Sequence, residues 1–403
     1  NAYLKPLLML TGTYPAVAMN PPYMGSRQMN AGLKSYMKTH YPMSKRDLFA
    51  VFMEVGEQNT QPGGRLGMIN QHSWMFLSSY EDLRTHVLDT TLIESMLHMG
   101  PHTFDEIGGA VVQSTAFTLQ NKLPQGQTGT YFRLVDENNA SAKRRAFASR
   151  QHRHPNVDQR DFEKIPGVPI AYWTSKKVVS LFSNSDRLED LGPVRQGFQT
   201  GDNDRFLRLW SEVNNRSFNS SAQSNDSFHK SKAKWAPYLK GGSFRKWYGN
   251  LDFIVAFDKY NFEALANSGN NLPSRHLYFR EGLTWSTLST GSLGARYVEE
   301  GTTFSAKGAC AFPEDSALFA SIALLNSKVT SKVLEFMSPT LDFNVGDIRE
   351  IPVHSGLITE SGGEIGTTSA SCVQIARRDW DSRETSWDFT QHPLIQQNAA
   401  SLE

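Results

Sequence analysis

"AVAMNPPYMGSRQMN" spans residues 16–30. A short apolar run, Ala16 to Met19, ends on Asn20-Pro21-Pro22-Tyr23. Proline has no N–H for a ladder and fixes its own φ, so a strand here is stopped at its tip. The tip presents two acceptors of nearly fixed geometry, the Asn20 side-chain oxygen and the Pro21 carbonyl. Together they match the two N–H hydrogens of an exocyclic amine, and the Tyr23 ring offers a flat face on which a planar group stacks. Two acceptors on an aromatic amine oppose the loss of its lone pair into the ring. The nitrogen becomes more nucleophilic toward an electrophilic methyl, with no general base needed first. A base inside a duplex reaches such a tip only when flipped out. The plain alternative is a proline turn after a strand, and four residues alone do not separate the two.

Around the tip, strands and helices alternate. "SKRDLFAVFMEVGEQ", 44–58, places Leu48, Phe49, Phe52, Met53 and Val55 at helical spacing, with Ser44 as N-cap. "QPGG", 61–64, predicts a turn, "RLGMINQ" a strand, "SSYEDLRTHVL" a helix and "TLIESMLHM" a strand. "AVVQSTAFTL", 110–119, is the last strand of the set, and "GPHTFDEIGG" before it is too short for a helical crossover. The expectation is a mainly parallel α/β sheet over residues 1–135 whose final strand runs antiparallel. Residues 136–165, with "SAKRRAFASRQHRHPNVDQR", read as an exposed basic linker. Residues 166–353 read as a second, α+β domain of short strands and Asn/Ser-rich loops, with 317–337 as its one long helix. Residues 354–403 read as linker and the start of a further C-terminal region.

Composition narrows the classes. A chain of 403 residues with 39% hydrophobic content can bury two or three cores. A net charge of +1 leaves any nucleic-acid surface to a local patch. Cys310 and Cys372 stand far apart without a CxxC pattern, which argues against a disulfide scaffold or a zinc site and fits a reducing cytoplasm. No apolar run has the length of a membrane span, and no signal-peptide pattern is present, so no membrane partner is expected. "TGDNDRF", 200–206, groups two aspartates near an asparagine, but the spacing is not that of a calcium loop. It reads as a structural turn, and no metal is expected.

The blocks around the tip carry a resemblance. Asn20-Pro21-Pro22-Tyr23, the helix–PGG–strand–Trp block "DLFAVFME…QPGGRLGMINQHSW" and "GPHTFDEIGGAVVQSTAFTL" resemble the N6-adenine DNA methyltransferases of the gamma-order class. "NPPYMGSRQMN", "QTGDNDRFLRLW", "YFREGLTW" and "PTLDFNVGDI" look most like the PglX-type methyltransferases of BREX phage-resistance systems. The resemblance covers most of residues 10–353. It implies the catalytic half of a Rossmann-like S-adenosyl-L-methionine (AdoMet) methyltransferase sheet, followed by a target-recognition domain. It implies that Asn20 and the Pro21 carbonyl bind the adenine amine, with Pro22 completing the motif. Tyr23 would stack on the flipped base, and Phe104 would close on it from the other side or anchor the strand hairpin. Trp74, Met19 and Met24 are expected in packing roles. Double-stranded DNA is the implied partner, alongside other phage-defence proteins.

One departure is large. The family's cofactor half carries a Gly-rich turn after its first strand and an acidic residue after its second, and residues 1–15 hold neither. The AdoMet site is therefore expected mostly outside this segment, in an N-terminal half of the same protein. The strand before Asn20 is then expected to lack a neighbour on one side.

In the second domain, "HKSKAKWAPYLKGGSFRKWYGN", 229–250, interleaves cations with aromatics and has no acidic residue. That suits a phosphate-binding surface, with Lys234, Trp235, Lys240, Arg245 and Lys246 as candidates. A solvated loop over an aromatic core is the rival reading. Arg275, Arg280 and Arg296 are candidates for guanine edges. Three other functions stay open. N4-cytosine methylation uses the same amine chemistry. Glutamine methylation of a protein uses NPPY on an amide, though the large second domain argues against it. A non-catalytic specificity subunit is the third.

Overall fold

The computed structural model describes residues 4–104, 112–123, 126–270, 272–289, 291–338, 342–357 and 362–396. The chain divides into two compact units, Asn1–Ser183 and Asn184–Glu403.

The first unit is built on a six-stranded mixed sheet. Its helices include α1 (Leu4–Thr11), α2 (Ala31–His40), α3 (Leu48–Gln58), α4 (Glu81–Thr90) and α5 (Ala140–Ala148). Its strands are β1 (Tyr14–Met19), β2 (Thr60–Gln71), β3 (Leu92–Gly100), β4 (Ser114–Gln120), β5 (Gly129–Arg133) and β6 (Arg153–Val157), in the order β1-β2-β4-β3-β5-β6. β1 pairs parallel with β2 and β3 parallel with β5, while β4 runs antiparallel to both of its neighbours. The expected antiparallel last strand is thus present, wedged between two parallel ones. Since β4 opposes β2 and β3, those two share the direction of β1, and their carboxyl ends leave the same edge of the sheet.

Local chemistry sets these elements. α3 is capped by the Asp47 side chain, which accepts from the Phe49 N–H at 3.3 Å, rather than by the expected Ser44. The Ser44 hydroxyl instead donates to the buried Glu54 carboxylate. "QPGG" does not end a strand; it is a bulge within β2. The register jumps from Tyr14↔Thr60 to Ala16↔Arg65, and Gly63 takes a φ of +78°, which only glycine adopts freely. The inward faces of β2, β3 and β4 (Leu66, Met68, Ile93, Met96, Phe117, Leu119) pack against Phe49 and Met53 of α3 and Leu83 and Val87 of α4. On the opposite face Leu97 meets Phe132, Leu134 and Ala146 of the α5 region.

The segment 136–165 is not an exposed linker. β6 pairs antiparallel with β5, and the unit continues to Ser183. Lys143 is 4% exposed and donates to the carbonyls of Met99, Leu134 and Glu137 at 2.7, 2.7 and 2.8 Å. The Gln159 amide donates to Leu88 and Thr91 and accepts from the Ile93 N–H. The segment is polar in composition, but a few polar side chains are turned inward to satisfy backbone groups.

Among its described residues the second unit holds two four-stranded sheets and one short pair. The first sheet orders Thr303–Phe304, Trp235–Leu239, Phe253–Ala256 and Leu207–Leu209. The second orders Ala295–Val298, Gly282–Trp285, Cys310–Ala311 and Val194–Arg195. The expected single helix over 317–337 is broken into Asp315–Leu325 and Lys328–Met337, bent by 71°. Asn326 and Ser327 cause the break. Ser327 caps the second helix by accepting from the Thr330 N–H, and the Asn326 amide exchanges two hydrogen bonds of 3.0 Å with the Ala295 backbone. Among the described residues no single helix is long and apolar enough to cross a membrane. The tail expected as linker forms a 20-residue helix, Gly362–Asp381.

Candidate active site

β1 delivers Asn20 one residue past its last pairing, Met19↔Met68. Pro21 is buried, Asn20 and Pro22 are exposed, and Tyr23 is half-buried. The Asn20 amide has no hydrogen-bond partner among the described residues. Tyr23 stands edge-on to Phe49, with ring centroids 6.0 Å apart at 83°, so its ring is braced by the core without being covered by it. Burial raises its phenol pKa; the Ser114 hydroxyl at the head of β4 lowers it and the Asp47 carboxylate raises it further. The Asp47 carboxylate also accepts from the Met24 N–H at 2.9 Å, which fixes the residue after Tyr23. Burial lifts that carboxyl above its ordinary value, against the pull of the Met24 and Phe49 amides.

The same sheet edge carries the exits of β2 and β3. His72 follows β2, and its Nδ1 lies 2.8 Å from His98 Nε2 near the end of β3. Burial pushes His72 down to about 4 and His98 well below the usual imidazole range. Both rings are therefore neutral, one donating to the other. Phe76, Tyr172 and Trp173 surround the pair, with the Arg133 guanidinium 5.4 Å from the Trp173 ring. Phe104 lies just beyond β3, 38% exposed; residues 105–111 of its loop lie outside the described residues. Lys143, gripping the Met99 carbonyl, holds the root of that loop. Trp74 is fully buried, and Met19 and Met24 pack at the margins of two hydrophobic clusters.

Arg84 was not legible as a site organiser. It is fully buried, and its guanidinium donates to Trp74, Leu77, Gly167 and Val168 carbonyls. Burial lowers it to about 10. It ties the turn after β2 to the loop at 167–168. An arginine in an amphipathic helix carries no sequence signal for that role.

The family model described as Eco57I restriction-modification methylase matches residues 5–104. The "Adenine-specific methyltransferase PglX" of Lacticaseibacillus casei (strain Zhang) is 40% identical over 402 residues, covering 96% of this chain and 33% of the relative. The "Adenine-specific methyltransferase BrxX" of Escherichia coli O9:H4 (strain HS) is 36% identical, covering 98% of this chain and 32% of the relative. The chain is a homologue of the PglX and BrxX adenine-specific methyltransferases. It spans about one third of the length of each. In fold it is similar to the Type IIL restriction-modification enzyme MmeI, solved in complex with DNA (TM-score 0.51, 12% identity, 94% of this chain and 52% of that one). It is also similar to the Type ISP restriction-modification enzyme LlaGI, solved with a DNA substrate mimic (TM-score 0.53, 9% identity, 93% of this chain and 42% of that one).

The PglX/BrxX likeness implies AdoMet, but the described residues beside Asn20 do not fit it by themselves. An open cavity of about 540 Å³ adjoins Asn20 on the sheet face away from α3. Ala18, Gly67, Ile69, Ser95, Leu97, Ala116 and Thr118 line it, and no lining residue is charged. Ribose hydroxyls would find no carboxylate there. Asp47, the carboxylate beside Tyr23, is occupied in capping α3. β1 runs into prolines, not into a Gly-rich turn.

In the second unit the expected DNA contacts fall into two sets. Trp235 is 8% exposed and belongs to the core, with the Lys234 ammonium 5.0 Å and the Arg208 guanidinium 5.9 Å from its ring centroid. Lys240 lies over Phe253 at 5.3 Å, its pKa lowered by burial. Arg275 and Arg280 are exposed. Arg280 lines an open cavity of about 1030 Å³ together with Glu189, Asp190, Glu281, Glu300, Glu314 and Asp315, a poor setting for phosphate. Arg245, Lys246 and Arg296 have internal partners. Arg245 pairs with Asp379 at 3.3 Å and covers Trp380; Lys246 donates to the Asn326 carbonyl at 2.8 Å. Arg296 is 2% exposed, facing the Arg245 and Gly294 carbonyls and the Ser286 hydroxyl, and burial lowers it to about 10. The expectation that it reads a guanine edge is corrected: it sits in a strand whose side chains point inward. "TGDNDRF" is a capping turn, with Asp202 accepting from the Arg205 N–H.

Proposed function

We propose that this chain is the catalytic edge and target-recognition portion of a DNA methyltransferase acting on adenine N6 in double-stranded DNA, in phage defence. The observation that carries the reading is the tip itself. An exposed asparagine amide without a partner among the described residues stands beside a rigid proline carbonyl and a braced, half-open tyrosine ring, at the carboxyl edge of a mixed α/β sheet. A polar group held in a fixed place and left unsatisfied is what binding an amine requires.

In this reading Asn20 Oδ1 and the Pro21 carbonyl accept the two amine hydrogens and keep the nitrogen lone pair out of the adenine ring. Tyr23 stacks on the flipped base, and Phe104 closes on it from the loop after β3. The contacts to the amine strengthen as positive charge develops on nitrogen, so they favour the transition state over the ground state. AdoMet is the methyl donor; its site lies mostly with a further portion of the longer polypeptide that the relatives' length suggests. Lys234, Lys240 and Arg275 remain candidates for the DNA backbone, with other defence proteins as partners of the whole molecule.

The test is methyl transfer from labelled AdoMet to duplex oligonucleotides by the whole polypeptide, followed by nucleoside analysis. N6-methyladenine is expected. N4-methylcytosine would move the assignment to the cytosine enzymes. DNA binding without transfer, with any partner proteins added, would leave a specificity subunit.

A further inference from the structure

Residues 1–46 contain no aspartate or glutamate; the first is Asp47. At the chain's average of 40 acidic residues in 403, such a stretch would carry roughly four or five. The part that follows the tip, residues 24–46, holds Arg27, Lys34, Lys38, Lys45 and Arg46, all of them exposed. Among the described residues none of the five pairs with a carboxylate, whereas Arg65, Arg133, Arg160 and Lys164 of the same unit do.

The excursion is anchored beside Tyr23. Gly25 bridges Asp47 antiparallel, the Ser26 N–H donates to the Arg46 carbonyl at 2.8 Å, and the Leu48 N–H donates to the Met24 carbonyl at 3.1 Å. Arg27, Lys45 and Arg46 therefore flank a small backbone clasp immediately after the tip. Farther out, Asn30 caps α2, whose inner side (Leu33, Met37) packs with Met29 and Tyr41 against Val51 and Val55 of α3. Lys34 and Lys38 are left outward at i, i+4, and Tyr36, 53% exposed, lies 4.4 Å from the His40 ring.

Helix stability explains Lys38, whose charge in the last turn of α2 suits the helix dipole, but it does not explain Lys34, nor Arg27, Lys45 and Arg46, which lie outside the helix. A cation in the first turn, where Lys34 sits, opposes the helix dipole, and like charges at i, i+4 repel. A solvated helix face normally intersperses both signs. Cations of one sign, rigidly mounted beside a base-binding tip, are matched instead to an anionic backbone. Resting on the functional reading above, we propose that residues 24–46 are a phosphate-gripping element that holds the DNA backbone next to the flipped base, with Arg27, Lys45 and Arg46 nearest the tip and Lys34 and Lys38 beyond.

The experiment measures duplex DNA affinity of the whole polypeptide against salt concentration. The variant is R27Q/K45Q/R46Q, with K34Q/K38Q as a second set and R27K/K45R/R46K as the charge-preserving control. Each lost contact flattens the log–log salt slope by roughly one unit, so a loss of about two to three units is expected for the triple variant and one to two for the pair. Affinity near 100 mM salt falls at least tenfold. The methylation defect appears as a raised KM for DNA that low salt recovers, and the control variant retains the wild-type slope. A triple variant with the wild-type slope, or a control variant that loses it, overturns the proposal. Wild-type protein that binds no duplex at all would instead bring down the functional reading itself.

Discussion

The tip at Asn20–Tyr23 and the segment at 245–248 are both furnished with groups that nucleic-acid chemistry uses. They differ in where those groups are directed. Asn20 is exposed with no partner for its amide among the described residues, and Tyr23 stands edge-on to Phe49. Arg245 and Lys246 are turned onto Asp379, Trp380 and the Asn326 carbonyl, with Trp247 bridged to the buried Arg296. A cationic, aromatic composition is therefore compatible with a purely internal role. What sets the tip apart is an exposed polar side chain with no partner among the described residues.

That contrast can be broken most directly at Asn20. Asn20→Ala in the whole polypeptide is expected to lower methyl transfer by roughly 100- to 1000-fold, about 3–4 kcal/mol of transition-state binding, while duplex affinity and unfolding stay near wild type. Turnover at the wild-type rate would end the catalytic assignment. Arg84→Met should do the reverse. Four carbonyls lose their donor, and the first thermal unfolding transition is expected to fall by roughly 3 kcal/mol. An unshifted transition would contradict the tie between the turn after β2 and residues 167–168.

Acid provides a third, smaller lever. The folded His72–His98 pair is neutral, with His72 down at about 4, whereas an unfolded imidazole takes its proton near 6.5. The unfolded state thus binds more protons in that window. Stability from the pair is complete above about pH 6.5 and is lost as the pH falls toward 4, by at most about 1.4 kcal/mol per pH unit for each histidine. His72→Phe should flatten that dependence in unfolding measured from pH 7 to 5; an identical profile would show that the pair is not its source. The weakest effect is expected in the second unit. R245Q/K246Q should leave the salt dependence of DNA binding within about half a unit of wild type and cost about 1 kcal/mol of stability, while K234Q/K240Q should flatten the slope by roughly one to two units. A flattened slope in R245Q/K246Q would show that these side chains leave their internal partners when DNA binds.

The first unit was readable because its signals are local. Prolines stop β1, apolar spacing marks α3 and α4, and a connection too short for a crossover sets the direction of β4. The misreadings share one cause: polar side chains satisfying distant backbone groups. Lys143 reads as solvated charge within a basic stretch, yet its ammonium closes three carbonyls, one of them 44 residues away. Asn326 looked like an interior residue of one helix, yet its amide binds the Ala295 backbone and the chain turns there. The His72–His98 pair joins residues 26 apart that neither strand's pattern distinguishes. Such contacts depend on which strands become neighbours, and no short stretch of sequence carries that information.

Among the described residues β1 pairs with β2 alone and lies at the end of the strand order. In a parallel ladder, alternate residues of a strand direct their amides to opposite sides, so part of β1 has its N–H groups turned away from any described neighbour. Those protons have no bond to break before exchanging with solvent, and they should be replaced within the fastest phase of a deuterium-labelling experiment. The strand that carries Asn20 is thereby its own reporter. Labelling of Ala16 to Met19 in the whole polypeptide, with and without AdoMet, reads out how firmly Asn20 is held at the moment it is needed.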